Sequence, residues 1–126
     1  MKKDKRYKHF EVPILNDTYK VYVYIGDKLK TNNAINKYLG EEDTNYVFEE
    51  KLRGRCIYRR GYHPCIWIDG TLDYKSAVGT LCHEAIHGVS NVMDYLSMDM
   101  RDTSGNEFLA HSVGAIIRTC LEKSKG

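Results

Sequence analysis

The chain has 126 residues, which fits one domain over residues 1–126 and excludes two domains of ordinary size. Its formal net charge of +2 gives no reason to expect a nucleic-acid partner. Because the chain lacks both an apolar run of membrane-spanning length and an N-terminal apolar signal segment, we expect no membrane partner and a cytoplasmic location.

The first part of the chain predicts a hairpin followed by a helix. Apolar residues alternate with polar ones over residues 8–15 and 18–25, which is typical of two strands. The turn Asn16-Asp17 between them predicts an antiparallel pair. A helix is then predicted over residues 27–39, with an aspartate as its first cap and Gly40 as its C-terminal stop.

Two short strands and two long helices are predicted in the rest of the chain. A third strand falls within residues 46–58, where Gly54 could interrupt it, and a fourth covers residues 64–68. Apolar residues then recur at three and four, predicting helices over residues 72–96 and 106–122. This order predicts an α+β domain in which a mostly antiparallel sheet packs against the two helices.

The first of these helices carries the sequence His83-Glu84-Ala85-Ile86-His87. Histidines four residues apart project from one side of a helix, so both imidazoles can reach a single Zn²⁺. Glu84 lies beside them and can reach a water molecule on the metal without being a ligand. None of the four cysteines forms a C-x-x-C pair, so a cysteine zinc site is not supported.

A catalytic zinc needs a third protein ligand and keeps its fourth position for water. Glu107 and His111 are spaced four residues apart on the last helix, opposite its apolar stripe. We therefore expect both side chains to point toward the helix over residues 72–96, which carries the two histidines. On the residues alone, the candidates for the third ligand are Asp94, Asp99, Asp102, Glu107 and His111.

The motif His83-Glu84-x-x-His87, followed twenty residues later by Asn106-Glu107, resembles the gluzincin zinc peptidases, the thermolysin-like group. The resemblance covers residues 64–118. Because the chain has no room for the large C-terminal domain of bigger members, it looks like a minigluzincin, a small zincin-like domain. The resemblance implies Glu107 as third zinc ligand, a zinc-bound water as nucleophile, Glu84 as general base, and hydrolysis of peptide bonds in an extended peptide or protein substrate.

His111 departs from the pattern of that family, which often has an aspartate four residues after the ligand glutamate. A neutral imidazole can still accept one hydrogen bond and orient His83. Two other roles remain open for His111: donation to the developing oxyanion, which would make it catalytic, or replacement of Glu107 as the ligand.

The resemblance also implies that the strand before the active-site helix borders the substrate cleft. Here that strand includes Cys65, Ile66 and Trp67. Pro64 favours an edge position, because proline there costs no interior hydrogen bond. We therefore predict that a substrate peptide pairs with the main chain of these residues. The alternative is an internal strand in which Trp67 is a core residue.

Two other functions compete with the peptidase. The chain could be a zinc-binding structural or protein-interaction module with little or no turnover. It could also be a nucleic-acid-associated module, which would use a set of basic and aromatic residues: Arg53, Arg55, Tyr58, Arg59, Arg60 and Tyr62.

Overall fold

The computed structural model of the chain describes residues 7–14, 18–41, 44 and 53–124. The predicted α+β class is confirmed: the described residues form a four-stranded sheet and three helices. No helix within those ranges is both long and apolar enough to cross a membrane. In chain order the elements are β1 (Tyr7–Pro13), β2 (Lys20–Gly26), α1 (Lys28–Leu39), β3 (Gly54–Ile57), β4 (Cys65–Ile68), α2 (Tyr74–Tyr95) and α3 (Thr103–Ser124).

The sheet has the strand order β1-β2-β4-β3 and is mixed. The pairs β1–β2 and β3–β4 are antiparallel, as expected, whereas β2 and β4 run parallel, with Val23 opposite Ile66. A parallel neighbour needs a crossover connection, and the segment between β2 and β4 provides it through α1 and β3. In consequence β4 is an interior strand, and β3 lies at the edge among the described residues.

Helices cover both faces of the sheet. On β2, Val21 and Val23 belong to the core shared with α2 and α3, whereas Tyr24 belongs to a second core shared with α1. Successive side chains of a strand point to opposite faces, so the alternation in β2 supplies both cores. The larger core fixes α2 and α3 on one side of the sheet.

Most element boundaries follow the sequence signals. Asp27 caps α1 by accepting a hydrogen bond from the Lys30 backbone N–H at 2.9 Å, and Gly40 ends the helix at a φ of 68°. Asp73 caps α2 in the same way, accepting from the Ser76 backbone N–H at 2.8 Å. This second cap fixes where the long helix begins.

Most boundaries fall within two residues of the predictions, and two features differ more clearly. Helix α3 begins at Thr103 and not at residue 106, and it contains the buried Gly105 in its first turn. Gly54 does not interrupt β3 but begins it. The predicted turn at Asn16-Asp17 and most of the N-terminal part of the predicted third strand lie outside the described residues.

Candidate metal centre

The two motif histidines converge at the surface of α2. His83 Nε2 and His87 Nε2 are 3.2 Å apart. Two nitrogens bound to one tetrahedral zinc at about 2.0–2.1 Å would be roughly 3.3–3.4 Å apart, so the pair fits two positions of such a site. In the metal-free chain the same distance allows one imidazole to donate a hydrogen bond to the other.

Glu84 is buried beside this pair. The residue is only 8% exposed, and its Oε2 lies 4.0 Å from His83 Nε2. Among the described residues, no donor forms a hydrogen bond to its carboxylate. Within the described part of the chain, no side-chain oxygen is both fully buried and without a hydrogen-bond partner, so the carboxylate of Glu84 keeps some contact with solvent beside the histidines.

The placement of Glu84 corrects the expected orientation of α2. The recurrence of apolar residues at three and four places Ile86 on the core side of α2 and Glu84 on the opposite side. In the structure, however, Ile86 is 47% exposed and Glu84 is buried. Helix α2 is rotated so that Glu84 faces β3. Periodicity alone did not anticipate that α2 would contact a strand on this flank as well as the sheet below it.

Gly54 explains why α2 can lie so close to β3. A Cβ at Gly54 would collide with Thr80 Cγ2 and would lie 3.4 Å from Glu84 Cγ. A glycine inside a strand pattern often marks a close approach of this kind. Gly54 therefore belongs to the environment of the candidate base, a role that sequence reasoning missed although it singled out the residue.

Cys56 lies two residues after Gly54 on β3 and also faces α2. The amide nitrogen Nδ2 of Asn91 donates to Cys56 Sγ at 3.9 Å, between β3 and α2. Burial, reinforced by the negative charge of Glu84, raises the pKa of the Cys56 thiol to about 12. The thiol is consequently neutral at physiological pH and adds no second anion beside Glu84.

Asp69 ties β3 to the segment that leads into α2. Its carboxylate accepts hydrogen bonds from the Thr71 backbone N–H at 2.9 Å and from Arg53 Nη1 at 3.0 Å. Burial by itself raises the pKa of Asp69, but the hydrogen bonds from Thr71 and Arg53 outweigh burial and hold this pKa below its usual value. The ionised carboxylate thus links Arg53, which immediately precedes the edge strand, to the turn at Thr71 that leads into α2.

Glu107 and His111 contact each other on α3. His111 Nε2 lies 3.3 Å from Glu107 Oε2, and both side chains are largely exposed. Within the described ranges, no three His, Cys, Asp or Glu side chains are close enough together to hold one metal ion. The structure therefore brings together His83, Glu84 and His87, but it leaves Glu107 and His111 as a separate pair.

The predicted edge position of Cys65, Ile66 and Trp67 is wrong. Strand β4 pairs with β2 on one side and β3 on the other, and all three residues are fully buried. Trp67 Nε1 also donates to the Gly26 carbonyl at 3.0 Å. An interior strand has no unpaired main-chain groups to offer a peptide, so the predicted substrate-binding role of these residues fails with the edge position.

Comparison with known proteins added no family assignment. No protein family, curated protein or solved structure matches the chain. The likeness to gluzincins consequently rests on the motif residues and their separation.

Proposed function

We propose that this chain is a zinc-dependent peptidase that hydrolyses peptide bonds in extended peptide or protein substrates. The observation that supports the proposal best is the grouping of two convergent imidazoles with a buried carboxylate. His83 Nε2 and His87 Nε2 lie 3.2 Å apart, and Glu84 Oε2 lies 4.0 Å from the first of them. Nitrogen pairs with this separation suit a tetrahedral zinc.

Glu84 is the proposed general base. Its carboxylate accepts a proton from the attacking water and returns that proton to the amine that leaves when the C–N bond breaks. Because the described residues offer Glu84 no hydrogen-bond donor, its lone pairs are available to a water molecule.

His83, His87 and Glu107 are the proposed zinc ligands. The metal, when bound, supplies Lewis-acid polarisation of the scissile carbonyl. Glu107 has a largely exposed side chain on a helix that packs against α2, so its carboxylate can change rotamer. In the structure this carboxylate lies 3.3 Å from His111 Nε2, so joining the histidines of α2 requires Glu107 to leave that contact.

The edge strand β3 replaces β4 as the proposed substrate-binding strand. β3 begins at Gly54, beside Glu84, and no described strand pairs with its outer side. An extended peptide can add to such an edge through main-chain hydrogen bonds. A peptide paired with β3 would run past Glu84, the candidate base. The interior strand β4 could not hold a peptide in that position.

The proposal predicts zinc-dependent cleavage of an unstructured protein. The chain is loaded with one equivalent of zinc, incubated with the substrate, and the new N-termini are counted by mass spectrometry. We expect cleavage that stops when a chelator removes the metal and resumes when zinc is restored. Stoichiometric zinc binding without any cleavage would favour the structural zinc module instead.

A further inference from the structure

The edge strand leads from the candidate base to a basic and aromatic surface at the far end of α2. Gly54 lies beside Glu84, Cys56 beside Asn91, and Tyr58 lines one cleft together with Tyr95. Strand β3 therefore follows α2 from the proposed reaction site toward the C-terminal end of that helix. A peptide that pairs with the whole of β3 and continues past Ile57 extends over this surface.

Arg60 is a cation on this surface that the described residues leave available to a partner. Its guanidinium carbon lies 5.1 Å from the centre of the Tyr95 ring, and no carboxylate in the described residues forms an ion pair with it. The neighbouring Arg59 is already engaged, because it donates to the Leu39 carbonyl at 3.1 Å and lies 3.7 Å from Glu41.

The contact with the Tyr95 ring leaves Arg60 able to bind a carboxylate. A guanidinium that lies over an aromatic ring keeps the N–H groups of its edge free, and those groups match the two oxygens of a carboxylate. The ring also limits the rotamers of Arg60, so less side-chain entropy is lost on binding. Beside it, a cleft of about 70 Å³ is lined by aromatic side chains, those of Tyr19, Tyr58, Tyr62, His63 and Tyr95.

We propose that Arg60 recognises an acidic side chain on the N-terminal side of the scissile bond, in a peptide paired antiparallel to β3. Antiparallel addition is the more stable form of strand pairing, and it places the N-terminal part of the peptide over the end of β3. At about 3.3 Å per residue, the acidic residue falls roughly four to six positions before the bond that is cut. This inference rests on the proposed function, and it narrows the substrates to acidic peptides.

An acidic peptide fits this surface better than a nucleic acid does. The surface continues the line of a strand edge, which offers main-chain groups at the spacing of an extended peptide. The whole chain carries a formal charge of only +2, whereas phosphate-backbone binding usually draws on many cations.

Fluorescence anisotropy with paired peptides tests the inference. Two labelled peptides of equal length differ only in a run of Glu or Gln toward the N-terminus, and each is titrated with zinc-loaded Glu84→Gln protein, which binds without cleaving. We expect the Glu peptide to bind about tenfold more tightly, because charge-assisted hydrogen bonds are worth that much. Arg60→Gln should remove the difference, whereas the control Arg101→Gln, on an exposed loop, should keep it.

Several results would overturn the inference. Equal affinity for the two peptides, or a Glu preference that survives Arg60→Gln, excludes Arg60 as the recognition residue. Tighter, Arg60-dependent binding of a labelled single-stranded oligonucleotide would assign the surface to nucleic acid. Cleavage sites of the wild-type protein with acidic residues enriched after the bond would reverse the proposed direction.

The same experiments separate this inference from the proposed function. If the wild-type protein cleaves nothing, yet binds the Glu peptide in an Arg60-dependent manner, the peptidase proposal fails and Arg60 still marks an acidic-peptide surface. If it cleaves Glu and Gln peptides with equal KM, the peptidase stands and the role of Arg60 is refuted.

Discussion

Glu84→Gln is expected to lower the rate of peptide hydrolysis by about 10²–10⁴-fold, the usual contribution of a positioned general base. Glutamine has nearly the same shape but cannot accept the proton of the attacking water. Because the side chain is buried between α2 and β3 and accepts no hydrogen bond from the described residues, we expect the free energy of unfolding to change by less than about 1 kcal/mol. Zinc affinity should also remain close to that of the wild type, since Glu84 is not a proposed ligand.

The measurement compares kcat and kcat/KM of the variant with those of Glu122→Gln, which removes an exposed carboxylate near the end of α3. The control should cleave at the wild-type rate. If Glu84→Gln also cleaves at the wild-type rate while holding zinc, another group accepts the proton and the proposed mechanism is wrong.

Gly105→Ala is expected to destabilise the fold by about 3 kcal/mol, near the upper end of the usual cost of overpacking. A Cβ at Gly105 would collide with the carbonyl oxygen of Asp99, which is backbone and cannot move aside as a side chain can. The first turn of α3 would have to shift away from the loop that precedes it. Since Glu107 follows two residues later, zinc affinity should fall together with stability.

Gly79→Ala is the matched control for this substitution. Gly79 is an exposed helical glycine in α2, and a Cβ there meets no atom within 4 Å. Alanine should stabilise that helix by about 0.5–1 kcal/mol. Urea unfolding of both variants gives the two free energies, and an equal effect at the two positions would show that the contact with Asp99 is not tight.

Local signals predicted the elements of this fold well. The cap at Asp27 and the stop at Gly40 depend only on neighbouring residues, so the ends of α1 can be predicted from the sequence. The cap at Asp73 is an equally local signal, but the predicted start of the long helix at residue 72 did not use it. The order of the strands depends on which edges meet in space. No local pattern indicates that β4 lies between β2 and β3. Pro64 suggested an edge strand, but it immediately precedes β4, and a proline at that position does not require the strand to lie at an edge.

The sequence likewise predicts some features of the candidate site and not others. The spacing of His83 and His87 fixes their convergence through helix geometry alone. The position of Glu107 relative to them depends on how α2 and α3 pack, and the structure pairs Glu107 with His111 instead. Gly54 gave a signal for close approach, but only the fold identifies Glu84 as its neighbour.

Zinc binding by the purified chain tests the central claim most directly. Competition with a chromophoric chelator gives both the stoichiometry and the Kd for the wild type, for His83→Ala and Glu107→Ala, and for the control His9→Ala on β1. We expect one zinc per chain, loss of tight binding in the first two variants, and wild-type binding in the control. A wild-type chain that binds less than one equivalent, or a His83→Ala variant that binds zinc as tightly as the wild type, would contradict the account.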